Sequence, residues 1–389
     1  MRKLTIFRQY ASSLQSEETP PPVVSLGQLF HPARPTSQST RPVYINGRFI
    51  AQPLSGVQRF ATEMTIALLS MHPDQVVVLT PPNTSHDLIP TRSVGRLTGQ
   101  LWEQLDLPRH TRGGLLINLG NTAPLLVPRQ VVVMHDAGVF RVPEAYSWRF
   151  RLWYKFLQRR IGQTNAKLIT VSQFSKAELC NVLQVIPESV ALIPEGADHI
   201  HRIVRDDTIL TDYSLIPGKF VIAVGNLSVH KNLFALSVLA TRLKARGLIL
   251  AVAGSCGSAF LKGSSLRLLP QPALYLGRVT DAELKALYSA AACFVFPSRY
   301  EGFGLPAIEA MASGCPVVVA DIPALRETCG DAVLYCDPSS PDNIACEVIR
   351  LLENPKLAEQ LKVRSLSHVQ QMTWTRAASA LYEISTSDQ

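Results

Sequence analysis

Short runs of β-branched and other apolar residues recur along this chain. Each is separated from the next by a stretch long enough for a helix, and that alternation constrains the fold more than any other feature. VYIN (43–46), QVVVLT (75–80), LLINL (115–119), QVVVMHD (130–136), KLITVS (167–172) and VALIPEG (190–196) read as buried strands, with helical patterns over about 57–70 and 147–162 between them. A polar stretch, HRIVRDDTILTDYSLIPG (201–218), interrupts the series and reads as a linker. The alternation restarts with KFVIAVG (219–225), LILAVAG (248–254), ALYLGRV (273–279), CFVFPS (293–298) and PVVVAD (316–321), with helices expected from about 232, over 280–291 and from 305. Strands joined by helix-length crossovers pair in parallel, and parallel strands covered on both faces carry continuous apolar runs. Two such blocks predict an α/β chain of two doubly wound, parallel-sheet Rossmann-like domains facing across a cleft. The expected boundaries are 41–205 for the first domain, 206–365 for the second and 366–389 for a C-terminal helix that packs back toward the first. A length of 389 residues suits two cores better than one.

Residues 1–40 are rich in Ser, Thr, Gln and Pro, with Pro20-Pro21-Pro22 at their centre, and read as a flexible leader. Their basic start lacks the continuous apolar stretch of a secretory signal, and no run of 18 apolar residues occurs anywhere in the chain. The seven cysteines are odd in number and form no C-x-x-C pair, which argues against a disulfide framework or a zinc site and favours a reducing compartment. Cys293 and Cys315 fall in apolar runs and are expected to be buried. A formal net charge of +8 points to an anionic partner. Nucleic acid, an acidic membrane face and a phosphorylated substrate all fit that charge, but no arginine-rich arm or nucleic-acid motif accompanies it.

Ligands of open parallel sheets collect beyond the carboxyl ends of strands. There the sequence places Ser298-Arg299-Tyr300-Glu301-Gly302-Phe303-Gly304-Leu305-Pro306-Ala307-Ile308-Glu309. A strand ends at Pro297, a glycine-bearing loop follows, and Pro306 opens a helix whose free N–H groups suit a diphosphate. Glu301 precedes the helix and Glu309 stands one turn inside it, so two carboxylates could serve different hydroxyls of one ligand. A capped helix with two solvated glutamates fits the same pattern. Gly225 to Asn232 forms a second loop, in which Lys231 offers a positive charge just before a helix. It is not a P-loop, because G-x-x-x-x-G-K-[ST] is absent.

Together the two loops resemble those of the retaining GT-B-fold glycosyltransferases grouped as family 4. EGFGLPAIEAMASGCPVV (301–318) is a nearly complete form of that family's signature. LGRVTDAELKALYSAA (276–291), VSQFSKAEL (171–179), IPEGAD (193–198), LSGVQRFATEM (54–64) and HDAGVFRVPEAYS (135–147) match its other blocks, so the likeness covers about 43–385. The resemblance implies that Lys231 holds the donor diphosphate with Asn232 beside it. Glu309 would bind the ribose hydroxyls and Glu301 those of the donor sugar, while the backbone of Gly302, Phe303, Gly304 and Leu305 would meet sugar and phosphate. Gly56 would let the first-domain loop approach the phosphates, and His135 would contact the donor sugar. Arg278 and Val279 would lie against the base. One departure is that many relatives carry an Arg a few residues before the loop lysine. This chain reads NLSVH there, leaving His230 or Arg278 to supply a second charge, or a site with one.

The resemblance further implies transfer from a GDP- or UDP-sugar, mannose first, to a glycan or lipid-diphosphate-linked acceptor in bacterial surface polysaccharide assembly. It implies a cytoplasmic setting and, with no D-x-D near the site, no metal or other cofactor. His135-Asp136 alone also suggests a metal site, although no second such pair occurs. The remaining histidines, His72 and His368 among them, read as surface residues. The segment from Tyr146 to Arg160 carries five basic residues among bulky aromatics. Phe150, Trp153, Tyr154 and Leu157 share a face that is expected to pack on the first sheet, and contact with an anionic membrane is the sharper alternative. A sugar-nucleotide epimerase, a phosphorylase or a catalytically silent binding protein would share the architecture.

Overall fold

Among the described residues thirteen strands form two all-parallel sheets. The first sheet holds β1 (Val43–Asn46), β2 (Val76–Thr80), β3 (Thr91–Ser93), β4 (Leu115–Asn118), β5 (Gln130–Val133), β6 (Lys167–Thr170) and β7 (Val190–Leu192), in the order β3-β2-β1-β4-β5-β6-β7. The second holds β8 (Phe220–Val224), β9 (Ile249–Ala253), β10 (Leu274–Gly277), β11 (Cys293–Phe296), β12 (Val317–Ala320) and β13 (Leu334–Cys336), in the order β10-β9-β8-β11-β12-β13. The computed structural model describes residues 41–255 and 268–387, so the leader expected over 1–40 and Cys256 lie outside the described residues. Both sheets belong to the one compact unit Arg41–Gln389.

The apolar runs became strands because both faces of each sheet are covered. β4, β11 and β12 are buried along their whole length, with Cys293 inside β11 and Cys315 just before β12. The helix starts follow local chemistry. Thr280 and Glu283 form a reciprocal capping box at the Asp281–Ala290 helix. Ser172 caps the Gln173–Leu183 helix by accepting from Ser175 N.

Strand order fixes where a ligand can sit. In each sheet the chain runs outward over three strands and returns on the other side of the first, so β1/β4 and β8/β11 flank the switch points. The loops of Lys231 and Glu301 leave β8 and β11, the neighbouring pair of the second sheet.

Three expectations needed correction. The 201–218 stretch is not an open linker. The short helix His199–Arg202 runs into its start, Thr208–Asp212 lies within it, and Ile209, Leu210 and Leu215 are buried in the core. The Trp148–Gly162 helix buries only Leu157, Gln158 and Ile161, while Trp148 and Leu152 are 66% and 65% exposed and Phe150 and Trp153 are also exposed. His199 is not a surface residue but is 2% exposed. At the C-terminus the Trp374–Thr386 helix lies against the Gly56–Met71 helix, with the rings of Phe60 and Trp374 5.7 Å apart. No helix among the described residues is long and apolar enough to cross a membrane.

Candidate active site

The β8 loop and the β11 loop meet through their charged side chains. Lys231 Nζ donates to Glu301 Oε1 at 2.6 Å, with both groups partly shielded from water. The lysine stem passes beside Gly225, and its ammonium lies 5.4 Å from the Phe296 ring centroid. Asn232, in a left-handed conformation, donates its amide to the carbonyls of Pro297 and Pro338 at 3.0 and 2.8 Å. Its side chain therefore pins the lysine loop to the end of β11. Behind Glu301, Gly304 takes a φ of 97° to turn the chain into the Leu305–Ala312 helix, which Pro306 opens. Phe303 and Leu305 are buried beneath that turn, and the Phe303 carbonyl accepts from Thr328.

The first half of the chain closes over this loop. A Cβ at Gly302 would stand 2.5 Å from the His135 carbonyl oxygen and 3.0 Å from Asp136 Cβ, so only glycine permits this approach. The Gly302 carbonyl accepts from Ser172 and Ser175 hydroxyls at 2.5 and 3.1 Å, and Ala137 N donates to the Tyr300 hydroxyl at 3.1 Å. Arg278, exposed after β10, reaches the Leu54 carbonyl at 3.5 Å, with Val279 half-buried beside it. Gly56 begins its helix with open space around its Cα. Arg59 pairs with Asp281 between the same two halves.

His135 and Asp136 follow β5 at this seam. His135 Nε2 lies 3.0 Å from the Leu119 carbonyl, which can only accept, so Nε2 carries a hydrogen. Nδ1 faces Glu195 Oε1 at 3.4 Å, and Phe60 packs edge-on against the ring. Both ring nitrogens thus have protein partners. Burial works against a charged His135, but Glu195, the Leu119 carbonyl and Asp136 together outweigh it and raise the pKa above the ordinary histidine value. Burial pushes the Glu195 and Asp136 carboxyls up. Asp136 accepts from Gly138 N at 2.6 Å, and Lys231 and Glu301 both act on its charge. His230 is drawn down to about 4 by burial and then by the adjacent Lys231 charge. Burial and the Lys231 charge thus favour the neutral imidazole at His230. Among the described residues no three His, Cys, Asp or Glu side chains gather as a metal site.

Glu309 sits one turn into its helix and is 8% exposed. His199 Nε2 lies 3.0 Å from Glu309 Oε1, and Trp374 Nε1 donates to His199 Nδ1 at 3.0 Å. Sequence reading missed Glu195, His199, Trp374, Ser172 and Ser175. Of these, Glu195, Ser172 and Ser175 stood inside segments already singled out, IPEGAD and VSQFSKAEL, which is the one signal that could have found them.

The family described as Glycosyl transferases group 1 matches residues 216–366. The O-antigen chain mannosyltransferase B of Escherichia coli is 30% identical over 261 residues, covering 64% of this chain and 68% of that protein. The O-antigen chain mannosyltransferase RfbU of Salmonella typhimurium is 29% identical over 226 residues, covering 58% and 61%. The MMP alpha-(1->4)-mannosyltransferase of Mycolicibacterium hassiacum is 30% identical over 255 residues, covering 61% and 59%. The chain thus spans about three-fifths to two-thirds of the length of these relatives. In three dimensions it resembles the sucrose-phosphate synthase from Thermosynechococcus elongatus, with a TM-score of 0.67 at 21% identity over 88% of this chain and 98% of that one. It also resembles WaaG, a glycosyltransferase involved in lipopolysaccharide biosynthesis, with a TM-score of 0.66 at 15% identity over 88% and 99%. At such identities the likeness speaks for the fold, and with the two parallel sheets it places the chain in the GT-B architecture.

Proposed function

The chain belongs to the group 1 glycosyltransferases, and we propose that it moves a mannosyl unit from GDP-mannose to a glycan or lipid-diphosphate-linked acceptor in bacterial surface polysaccharide assembly, with retention of configuration. The carrying observation is the Lys231–Glu301 contact beside the start of the Leu305–Ala312 helix, at the switch point of the second sheet. Two relatives named as O-antigen mannosyltransferases support the choice of sugar and setting.

Breaking a sugar–diphosphate bond builds negative charge on the leaving group and positive charge on the ring. In this reading Lys231 and the amides at the helix start stabilise the leaving diphosphate, which exchanges places with Glu301 as the lysine's partner. Glu301, released, accepts hydroxyl hydrogens of the donor sugar, and Glu309 accepts those of the ribose. Gly56 approaches the phosphates, and Arg278 and Val279 flank the base. His135 borders the reacting sugar. The first sheet, with the loops that close on Gly302, serves the acceptor, and exclusion of water at that seam favours transfer over hydrolysis. No protein nucleophile is assigned, and the reaction is taken to proceed without a metal.

In this reading the enzyme works in the cytoplasm, at the inner face of the membrane. That placement rests on the Trp148–Gly162 helix, where exposed Trp148 and Leu152 stand among Arg149, Arg151 and Lys155. Flotation with acidic liposomes should be strong at low salt and fall as salt rises; salt-indifferent binding, or none, removes the membrane from this proposal.

The central test is transfer of labelled sugar from GDP-mannose and, in parallel, UDP-sugars, with and without EDTA, and with the product anomer assigned by NMR. Mannosyl transfer from GDP-mannose that survives EDTA and gives the donor's anomer is expected. Hydrolysis alone, loss of activity on chelation, or the opposite anomer would each overturn the corresponding part.

A further inference from the structure

Glu309 does not stand free at the second-sheet switch point; a buried chain of hydrogen bonds ends on it. An indole N–H can only donate, so Trp374 Nε1 at 3.0 Å makes His199 Nδ1 an acceptor. The ring hydrogen is then on Nε2, and Nε2 donates to Glu309 Oε1 at 3.0 Å. The polarity runs one way, from indole to imidazole to carboxylate. The imidazole is the neutral tautomer and commits Glu309 Oε1, while the buried Tyr288 hydroxyl also faces the same carboxylate.

The members are fixed from three directions. Trp374 N donates to Asp198 Oδ1 at 2.8 Å, and Ala197 N donates to the Met372 carbonyl at 2.9 Å. A Cβ at Gly196 would come within 2.5 Å of Trp374 N, so the segment before His199 and the start of the C-terminal helix are in direct backbone contact. Phe60 of the first helix packs edge-on against the indole. His199 and Trp374 are essentially excluded from water. A glutamate side chain has rotamer freedom that must be lost before its carboxylate can grip a ligand, and a donor already in place removes that loss from the binding step.

We propose that His199, locked in one tautomer by Trp374, is the positioning residue that aims Glu309 at the ribose of the donor, so that the C-terminal helix is part of the nucleotide site. The inference rests on the reading of Glu309 as a ribose ligand. It joins the end of the first sheet, the second-sheet helix and the C-terminus around one carboxylate.

The test uses the full chain and reads discrimination between ribose and deoxyribose. Affinities for GDP and UDP and for their 2′-deoxy counterparts are measured by calorimetry, with thermal unfolding followed in parallel. Wild type is expected to favour the better ribonucleotide over its deoxy form by about tenfold. Glu309→Met should abolish that preference. His199→Phe and Trp374→Phe should bring it within about twofold of unity, and His199→Gln, whose amide can still donate to Glu309, should restore part of it. If His199→Phe and Trp374→Phe weaken both nucleotides equally and leave the ratio intact, their role is structural and the proposal fails. If Glu309→Met keeps the preference, or wild type shows none or binds neither nucleotide, the ribose reading itself fails and takes the inference with it. Loss of preference in Glu309→Met with retention in both His199→Phe and Trp374→Phe overturns the positioning claim alone. The Trp374→Phe variant keeps His199 in place should His199→Phe fold poorly.

Discussion

Lys231 Nζ and Glu301 Oε1 lie 2.6 Å apart, joining the loops that leave the neighbouring strands β8 and β11. Each residue is the other's partner in a partly buried place, so removing one strands its mate. We predict that Lys231→Ala and Glu301→Ala each lower kcat by about 10²–10³, the loss typical of one preorganised electrostatic group at a reacting centre. The paired Lys231→Met/Glu301→Gln variant should fold better than either single change while staying as inactive. Steady-state transfer assays and denaturant unfolding read the two quantities. Single variants within a few-fold of wild-type turnover would show that this pair is not at the site of chemistry.

Gly302 gives a sharper test of geometry than any charge. Its missing Cβ is replaced in space by the His135 carbonyl and Asp136, atoms of the opposite half that cannot swing aside as a flexible side chain would. Gly302→Ala should therefore hold the seam open by about an ångström, and such a misplacement costs about 10²-fold in rate when reacting groups must be aligned. The two sheets should survive, since the added methyl faces the seam and not a core. The expected result is a large fall in kcat with an unfolding midpoint close to wild type. Wild-type kcat would mean that the seam need not close this tightly.

The strands were legible in the sequence because burial on both faces leaves a continuous apolar run, as in VVVLT and PVVVAD, and the GFG loop because glycine, proline and helix start follow one another locally. β3 and β13 escaped notice since three residues at a sheet edge, partly exposed, carry little pattern. The contacts that shape the site were hidden for another reason. His199 meets Glu309 across 110 positions, Trp374 meets His199 across 175, and Gly302 meets Ser172 across 130. A histidine in a polar stretch reads as solvated until the fold brings a carboxylate and an indole to it. The aromatic helix shows the reverse error: Phe150 and Trp153 are spaced as a core face, yet both are exposed and Phe150 stacks on Tyr146 and Tyr154.

His230 should leave a mark on acid stability. Its folded-state pKa is drawn down to about 4 by burial and then by Lys231, from an ordinary value of 6.5. The folded chain therefore binds fewer protons than the unfolded chain between those values. Stability should fall as pH falls through 6.5 toward 4 and should be insensitive to this residue above about pH 7. The full shift corresponds to roughly 2–3 kcal/mol at the acid end of the window, allowing for partial solvent access. Urea unfolding from pH 4 to 7.5 should show a shallower acid loss for His230→Asn than for wild type. Parallel curves would show that His230 remains neutral or solvated in both states.

The last prediction concerns what holds the two halves together. Glu327, in the Pro323–Cys329 helix of the second half, accepts from Gln173 N at 2.6 Å and Phe174 N at 3.0 Å, capping the first-half Gln173–Leu183 helix with a carboxylate from across the seam. Ser172 and Ser175 at that helix start donate to the Gly302 carbonyl, so the cap and the glycine loop are two ends of one contact. A carboxylate at a helix N-terminus is worth about 1 kcal/mol at a partly exposed position. Here it acts only when the halves are closed, so Glu327→Ala should shift the closing equilibrium by that amount and leave each half intact. We predict an approximately fivefold weaker apparent affinity for the nucleotide sugar, a larger radius of gyration in solution scattering of the free enzyme, and an unfolding midpoint within about 2 °C of wild type. Glu327→Asp, too short to reach both amides, should fall between the two. If affinity and scattering are unchanged in Glu327→Ala, the closed seam is held by the Gly302 contacts alone, and the carboxylate serves only to cap its helix.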